Sequence, residues 1–258
     1  MRKFLLTLKY NGADFVGWQV QKNGRSVQTC LQDALEKMLG QRPDVTGCSR
    51  TDSGVHAEGY QACFVSDTDK ECKRISLGLN ALLPEAVSVW ECREVPLEFH
   101  PRYSAVAKEY VYRLYDGMAP NPFLKGLAWH YKGFLDTDKM QKAADQLVGR
   151  HDFRSFMASG SKIVDTTREI YWLQVERKAD RLIEIRACGD GFLYHMVRII
   201  VGTLVFVSRG RLASEDMPAV LAACYRSVAG QTAPAEGLYL HKVYYTSPRK
   251  EEDDGTGL

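Results

Sequence analysis

Apolar residues recur along the chain either in short unbroken runs or at helical spacing. Residues 3–9 form an apolar run with little helical spacing, which predicts a strand. After Ser26 the apolar side chains fall on one face of a helix, and Gly40 follows the last of them. Serine is favoured just before the first turn of a helix and glycine just after its last, so the pattern predicts a helix between these two residues.

The rest of the chain continues this alternation of helices and strands. A second helix is predicted near 71–82, where Pro84 stops it, and the next strands are predicted at 86–95 and 108–115. The second half repeats the element content of the first without an obvious sequence repeat, which predicts an α/β fold of two lobes. Its predicted elements are, in order, a helix that Asp136 begins, strands at 167–177 and 182–187, helices at 192–208 and 215–225, and a strand at 239–245.

Prolines and glycines interrupt the periodic segments between residues 121 and 136, which is typical of a connection between lobes. We therefore predict an N-terminal lobe at 1–125 and a C-terminal lobe at 126–248. Residues 251–257 offer no apolar side chain to bury, so we predict a disordered tail at 249–258.

Composition narrows the class of protein only slightly. The 258 residues suffice for one large domain or two, and a hydrophobic content of 45% can fill a core. The net charge of +2 does not give a strongly basic field, so an RNA ligand would need clustered arginines and lysines. Seven cysteines without a Cys-x-x-Cys pair, and no signal-like segment, favour reduced thiols in a cytoplasmic protein. The most apolar stretch, 199–207, is too short to cross a membrane.

The segment most informative about function is the polar loop at 49–57, with the sequence SRTDSGVHA. It lies between two strand-like segments, and ionisable side chains on such loops are often catalytic. An isolated aspartate in such a loop would more often form a turn in which the side chain bonds its own backbone, so the residues around Asp52 decide its interpretation. His56 could form a dyad with Asp52, but a near neighbour on a tight loop is better interpreted as structural.

The loop is similar to the GRTDxGVHA motif of the TruA-type tRNA pseudouridine synthases, with Ser49 where the family usually has glycine. Further blocks resemble the same family in the same order along nearly the whole chain, and Pro101 replaces a common alanine in one of them. These blocks are at 8–19, 26–28, 99–105, 108–113, 151–156, 191–198 and 233–240.

This resemblance implies a fold, an activity and a set of partners. The fold would be two ferredoxin-like, RRM-related lobes with joined antiparallel sheets and an active-site cleft between them. The activity would be isomerisation of uridine to pseudouridine at positions 38, 39 and 40 of the tRNA anticodon stem-loop. The reaction would need no cofactor and no metal ion, and the enzyme would be a cytoplasmic homodimer without membrane contact.

The resemblance also assigns catalytic residues. Asp52 would attack C1′ of the uridine or remove its 2′ proton, and the sequence leaves both routes open. Arg198 would be its counter-charge, because a guanidinium among apolar neighbours must be paired or reach out to solvent. Tyr110 would stack on the flipped uracil and exchange the proton at C5, although a strand tyrosine can simply pack in the core.

Substrate contacts are expected from Tyr110 and from several further side chains. Arg50 would fill the place that the flipped base leaves, unless it forms an ordinary surface salt bridge. Leu240 belongs to a family block, as do Arg102, Lys108 and Arg154, the latter three as phosphate ligands. Weaker phosphate candidates are Lys22, Arg25, Lys162 and Arg168.

Two other classes of protein remain as alternatives. A non-catalytic RNA-binding module of RRM-like lobes would not need Asp52 and should carry an aromatic RNP motif, which the sequence lacks. A hydrolase that uses Asp52 with His56 would need a third orienting group or a metal ion. No suitably spaced set of cysteines and histidines predicts a metal site.

Overall fold

The computed structural model describes residues 1–161 and 163–248; Lys162 and the predicted tail at 249–258 lie outside the described residues. The described chain is built on a mixed sheet with helices packed on it. The helices are α1 (Val27–Leu39), α2 (Cys72–Leu82), α3 (Thr137–Asp145), α4 (Met196–Ser208) and α5 (Met217–Ala222). The strands are β1 (Arg2–Tyr10), β2 (Val45–Gly47), β3 (His56–Ser66), β4 (Val87–Val95), β5 (Ala107–Tyr115), β6 (Trp129–His130), β7 (Gly149–Asp152), β8 (Thr167–Arg177), β9 (Leu182–Gly189) and β10 (Leu238–Tyr244).

The helix ends follow local rules of capping. The Ser26 hydroxyl accepts the backbone N–H of Thr29, and Gly40 adopts a left-handed φ of 73° while its N–H donates to Glu36. Asp136 caps α3 in the same way, because its carboxylate accepts the N–H of Lys139. The sequence prediction of these helix ends is confirmed.

Two helix predictions are too long. α4 begins at Met196 instead of residue 192, because His195 has a left-handed φ of 60° that no helical turn can include. α5 is shorter than the predicted 215–225, since Cys224 also has a positive φ, of 48°, beyond its C-terminal end. The backbone before α4 therefore turns sharply where the pattern predicted a continuous helix.

The strands lie in the order β4-β1-β3-β10-β5-β9-β8-β7, with β2 paired to β3 and β6 paired to β5. The α/β class is confirmed, and the main strands of each half pair antiparallel, as expected; the whole sheet is mixed because two pairs are parallel. β10 runs parallel to β3 and antiparallel to β5, and the β5–β6 pair is also parallel. A parallel pair needs a long connection, and most of the chain separates β3 from β10.

The pairing of β10 with β3 joins the two halves of the sheet. β5 precedes residue 125 in the chain, yet it pairs with β9 and β10 among the strands of the second half. The lobe boundary near residue 125 stays a prediction. The seam is formed by β3, β10 and β5. The loop that contains Asp52 leads into β3, and Tyr110 lies on β5.

One hydrophobic cluster extends from the first half of the chain into the second. Tyr112, Phe4 and Leu31 are fully buried in it. The seven cysteines are free thiols. Among the helices of the described residues, none has the length and apolar character that a membrane span requires.

Candidate active site

The loop that carries Asp52 is held against the segment after β1 by close backbone contacts. The N–H of Trp18 donates to the carbonyl of Thr51 at 3.3 Å, and the Tyr10 hydroxyl lies 2.9 Å from the Thr51 hydroxyl. Gly17 has a φ of 106°, and a Cβ there would lie 2.3 Å from the Thr51 carbonyl oxygen. Only glycine fits this approach, so the residue before Asp52 has a fixed position.

His56 supports the loop from the other end. The N–H of Gly12 donates to its Nδ1 at 3.0 Å, so the ring proton lies on Nε2, which donates to the Glu236 carbonyl at 3.1 Å. Its ring is buried and stacks on Tyr239, and this burial lowers the pKa of His56. Both ring nitrogens are occupied by the backbone, so His56 is structural, as predicted, and cannot serve Asp52 as a base.

Two side chains from the start of α4 contact the carboxylate of Asp52. Arg198 Nη1 lies 3.3 Å from Oδ2, and His195 Nε2 lies 3.2 Å from the same oxygen. The Arg198 side chain is only 14% exposed, and its Nε donates to the Ala233 carbonyl at 2.7 Å. The structure thus places Arg198 beside Asp52, and its guanidinium does not turn out to solvent.

The surroundings of Asp52 favour its ionised form. Burial by itself raises the pKa of this carboxyl, but hydrogen bonding and charge from His195 and Arg198 outweigh burial and lower the pKa below its usual value. The first turn of α4 adds the positive end of a helix dipole on the same side. Asp52 is therefore a carboxylate at neutral pH.

Tyr110 lies across the loop from these residues. Its hydroxyl is 3.5 Å from the Ser49 hydroxyl, and its ring meets the edge of Phe192 with centroids 5.2 Å apart. Burial raises the pKa of Tyr110 well above that of a free phenol, so the hydroxyl keeps its proton at neutral pH. Ser49 thus adds a polar group beside the phenol.

Leu240 connects the two sides of the site. It pairs with Ala57 of β3 and with Tyr110 of β5 across the central seam, and its side chain is fully buried. Leu240 thus links the end of the Asp52 loop to the strand that carries Tyr110.

The predicted basic ligands differ in their surroundings. Arg50 is exposed and forms no ion pair within the described part of the chain. Lys108 is half-buried. Burial lowers the pKa of Lys108, the charge of Arg102 lowers it further, and Cys48 acts in the opposite sense. Arg102 is exposed with its guanidinium 5.6 Å from the Tyr103 ring centroid, whereas Arg154 lies 3.9 Å from Asp152.

The structure therefore brings Asp52, Arg198 and Tyr110 to one place and adds His195, which sequence reasoning missed. A signal was present, because His195 stands three residues before Arg198 in the same block at 191–198 that resembles the family. Among the described residues there is no group of histidine, cysteine, aspartate and glutamate side chains that could hold a metal ion.

A carboxylate held in its ionised form by cationic and hydrogen-bonding partners, beside a buried phenol at the seam of an α/β sheet, is an arrangement typical of enzymes with an acidic catalytic group. Comparison with known proteins gives the family. A family model described as tRNA pseudouridine synthase matches residues 7–104 and 143–246. The chain belongs to this family of isomerases, which convert uridine to pseudouridine.

Curated relatives match almost the whole chain. The tRNA pseudouridine synthase A of Ruminiclostridium cellulolyticum is 45% identical over 95% of this chain and 100% of its own length. The protein of the same name from Acetivibrio thermocellus is 41% identical over 95% of this chain and 100% of its own length. The one from Bacillus pumilus is 43% identical over 94% of this chain and 99% of its own length.

Proposed function

We propose that this protein isomerises uridines at positions 38, 39 and 40 of the tRNA anticodon stem-loop. The observation that carries the proposal is the contact of Arg198 with the ionised Asp52, beside the buried hydroxyl of Tyr110. The resemblance of the loop at 49–57 supplies the target positions, and the relatives named tRNA pseudouridine synthase A support tRNA as the substrate.

Asp52 breaks the bond between C1′ and N1 of the target uridine. It either attacks C1′ or removes the 2′ proton, and both routes need a carboxylate that is charged at neutral pH. Arg198 meets this need as the counter-charge, because its guanidinium lies 3.3 Å from Oδ2 and is itself fixed to the Ala233 carbonyl. No redox change or hydrolysis accompanies the reaction, so it needs no redox cofactor.

Tyr110 acts after the detached uracil has turned and its C5 has bonded to C1′. At that point C5 carries a proton that must leave to restore the aromatic ring. The step balances because N1, whose bond to C1′ has been broken, gains a proton as C5 loses one. The hydroxyl of Tyr110 keeps its own proton at neutral pH, so it relays this transfer by donating its proton as it accepts the one from C5. The Ser49 hydroxyl, at 3.5 Å, is the next oxygen on this route.

A target inside a stem reaches Asp52 only after it has left the base stack, at a cost of a few kcal/mol, to order of magnitude. Arg50 occupies the vacated place, since its guanidinium is exposed and can stack and contact phosphate together. Arg102, Lys108 and Arg154 bind phosphates, and Leu240 backs the flipped base.

On the basis of the family resemblance, we extend the proposal to the oligomeric state and the cellular location of the enzyme. The protein acts as a homodimer in the cytoplasm, with one tRNA touching both subunits. Because the net charge is only +2, RNA binding depends on the local clusters of basic side chains.

Release of tritium from tRNA labelled at C5 of uridine tests the proposed reaction. The protein should release tritium from a transcript with uridine at positions 38–40, and cytidine at all three positions should abolish release. Asp52→Asn should bind the same tRNA with little change and release almost none, because affinity comes mainly from phosphate contacts. Release at the wild-type rate by this variant would overturn the role of Asp52, and no release by the wild type would overturn the function.

A further inference from the structure

Both partners of Asp52 converge on one of its two carboxylate oxygens. Arg198 Nη1 and His195 Nε2 lie 3.3 and 3.2 Å from Oδ2. Within the described residues, Oδ1 has no side-chain or backbone partner, and no buried side-chain oxygen lacks a hydrogen bond. Oδ1 is therefore accessible and not buried, which agrees with the 30% exposure of the Asp52 side chain.

The backbone of His195 has an uncommon, left-handed conformation. His195 holds a left-handed φ of 60° and a ψ of 9° just before α4. Such a conformation is uncommon for a residue with a side chain and often marks a functional position. The His195 side chain makes no capping hydrogen bond to the helix, so the turn directs the ring to Asp52 instead.

The ring of His195 also contacts a second aromatic ring. Tyr194 packs against His195 with ring centroids 3.9 Å apart and planes at 32°. The carbonyl of Tyr194 accepts the N–H of Ala158 at 3.1 Å, which fixes the turn that carries both rings. A carboxylate only accepts hydrogen bonds, so the Nε2 atom that faces Asp52 carries a proton.

We propose that His195 is a positioning residue that donates from Nε2 to Oδ2 of Asp52, so that Oδ1 is the oxygen that reacts with the sugar. Arg198 supplies the positive charge. His195 contacts Oδ2 from a second direction, because a single contact would let the carboxylate rotate about its Cβ–Cγ bond. The inference deepens the proposed function and rests on it.

Single-turnover formation of pseudouridine, with tRNA affinity measured by filter binding, tests the proposal. His195→Gln keeps an N–H donor at the reach of Nε2. His195→Asn tolerates the left-handed backbone but its amide is too short, and His195→Phe keeps a ring against Tyr194 without a donor. His130→Phe is the control for replacing a half-buried histidine, since His130 contacts the Gly117 carbonyl and lies outside the site.

We expect His195→Phe and His195→Asn to lower the single-turnover rate about ten- to hundredfold, the usual value of a hydrogen bond to a charged group, with tRNA affinity unchanged. His195→Gln should recover most of the rate, and His130→Phe should keep it. A role limited to folding would lower thermal stability and leave the rate of the folded fraction intact.

Two results would overturn the proposal. If His195→Phe turns over as the wild type does, the contact with Asp52 has no function; if His195→Gln is as slow as His195→Phe, the donor is not what matters. If the wild type is active and Asp52→Asn is inactive, either result overturns only the role proposed for His195. If the wild type forms no pseudouridine, both the proposed function and the role of His195 are overturned.

Discussion

Replacing Arg198 by methionine tests whether its charge keeps Asp52 ionised. At 3.3 Å and an effective dielectric constant of about 20, the two charges attract each other by roughly 5 kcal/mol. Asp52 is 30% exposed and keeps its contact with His195, so solvent screening reduces the net effect to about 2 kcal/mol. Arg198 lowers the pKa of Asp52, so its removal raises that pKa and the rate is lost first at low pH.

The assay is the single-turnover rate of pseudouridine formation as a function of pH. On the acidic limb the rate follows the ionised fraction of Asp52, where about 2 kcal/mol corresponds to a roughly thirtyfold slower Arg198→Met variant. Near pH 8 both proteins carry an ionised Asp52, so this part of the difference disappears. Any loss that remains there reports the missing hydrogen bonds of Arg198 to Oδ2 of Asp52 and to the Ala233 carbonyl.

Arg198→Lys is the matched control, because it keeps a charge near Asp52 and loses the planar fork that reaches Ala233. Its acidic limb should stay close to that of the wild type. Circular dichroism should show that both variants are folded. An acidic limb of Arg198→Met that coincides with the wild-type limb would refute the assignment of Arg198 as the counter-charge.

Three further predictions concern the other parts of the site. Tyr110→Phe keeps the ring and should bind tRNA normally but form little pseudouridine, whereas Tyr110→Leu should also lose the stacking, about 1–3 kcal/mol, in a filter-binding comparison. Arg50→Ala should bind tRNA that carries a fluorescent base beside the target yet show little unstacking, and a normal unstacking rate would make Arg50 an ordinary contact. Gly17→Ala should lower the unfolding free energy in urea by about 1–3 kcal/mol and slow turnover, because its Cβ would collide with the Thr51 carbonyl; unchanged stability and rate would show that the loop can shift freely.

Local chemistry explains what could be predicted from the sequence. Ser26, Gly40 and Asp136 mark helix ends through contacts with residues three or four positions away, so the sequence contains all the information needed. The catalytic loop could be found because its residues are contiguous. Arg198 could be proposed as a buried counter-charge because its apolar neighbours leave few other places for a guanidinium.

Contacts between distant segments explain what could not be predicted. The left-handed turn at His195 depends on Asp52 and Tyr194 packing around the ring, and the apolar run from residue 192 reads as uninterrupted helix. The parallel pairing of β10 with β3 joins segments that most of the chain separates. Neither the left-handed turn nor the parallel pairing has a local pattern, so both features escape a sequence-based prediction for the same physical reason.

The position of β10 at the seam also sets the order of events during synthesis. β1 to β4 can pair as soon as they leave the ribosome, but the last strand of the described chain must arrive before β3 and β5 have a common neighbour. Leu240 then fixes the spacing between the Asp52 loop and Tyr110 in a single step. A nascent chain in which β10 has not yet been synthesised contains Asp52, Arg198 and Tyr110 but lacks the strand that lies between β3 and β5, so the site can assemble only after β10 has been made.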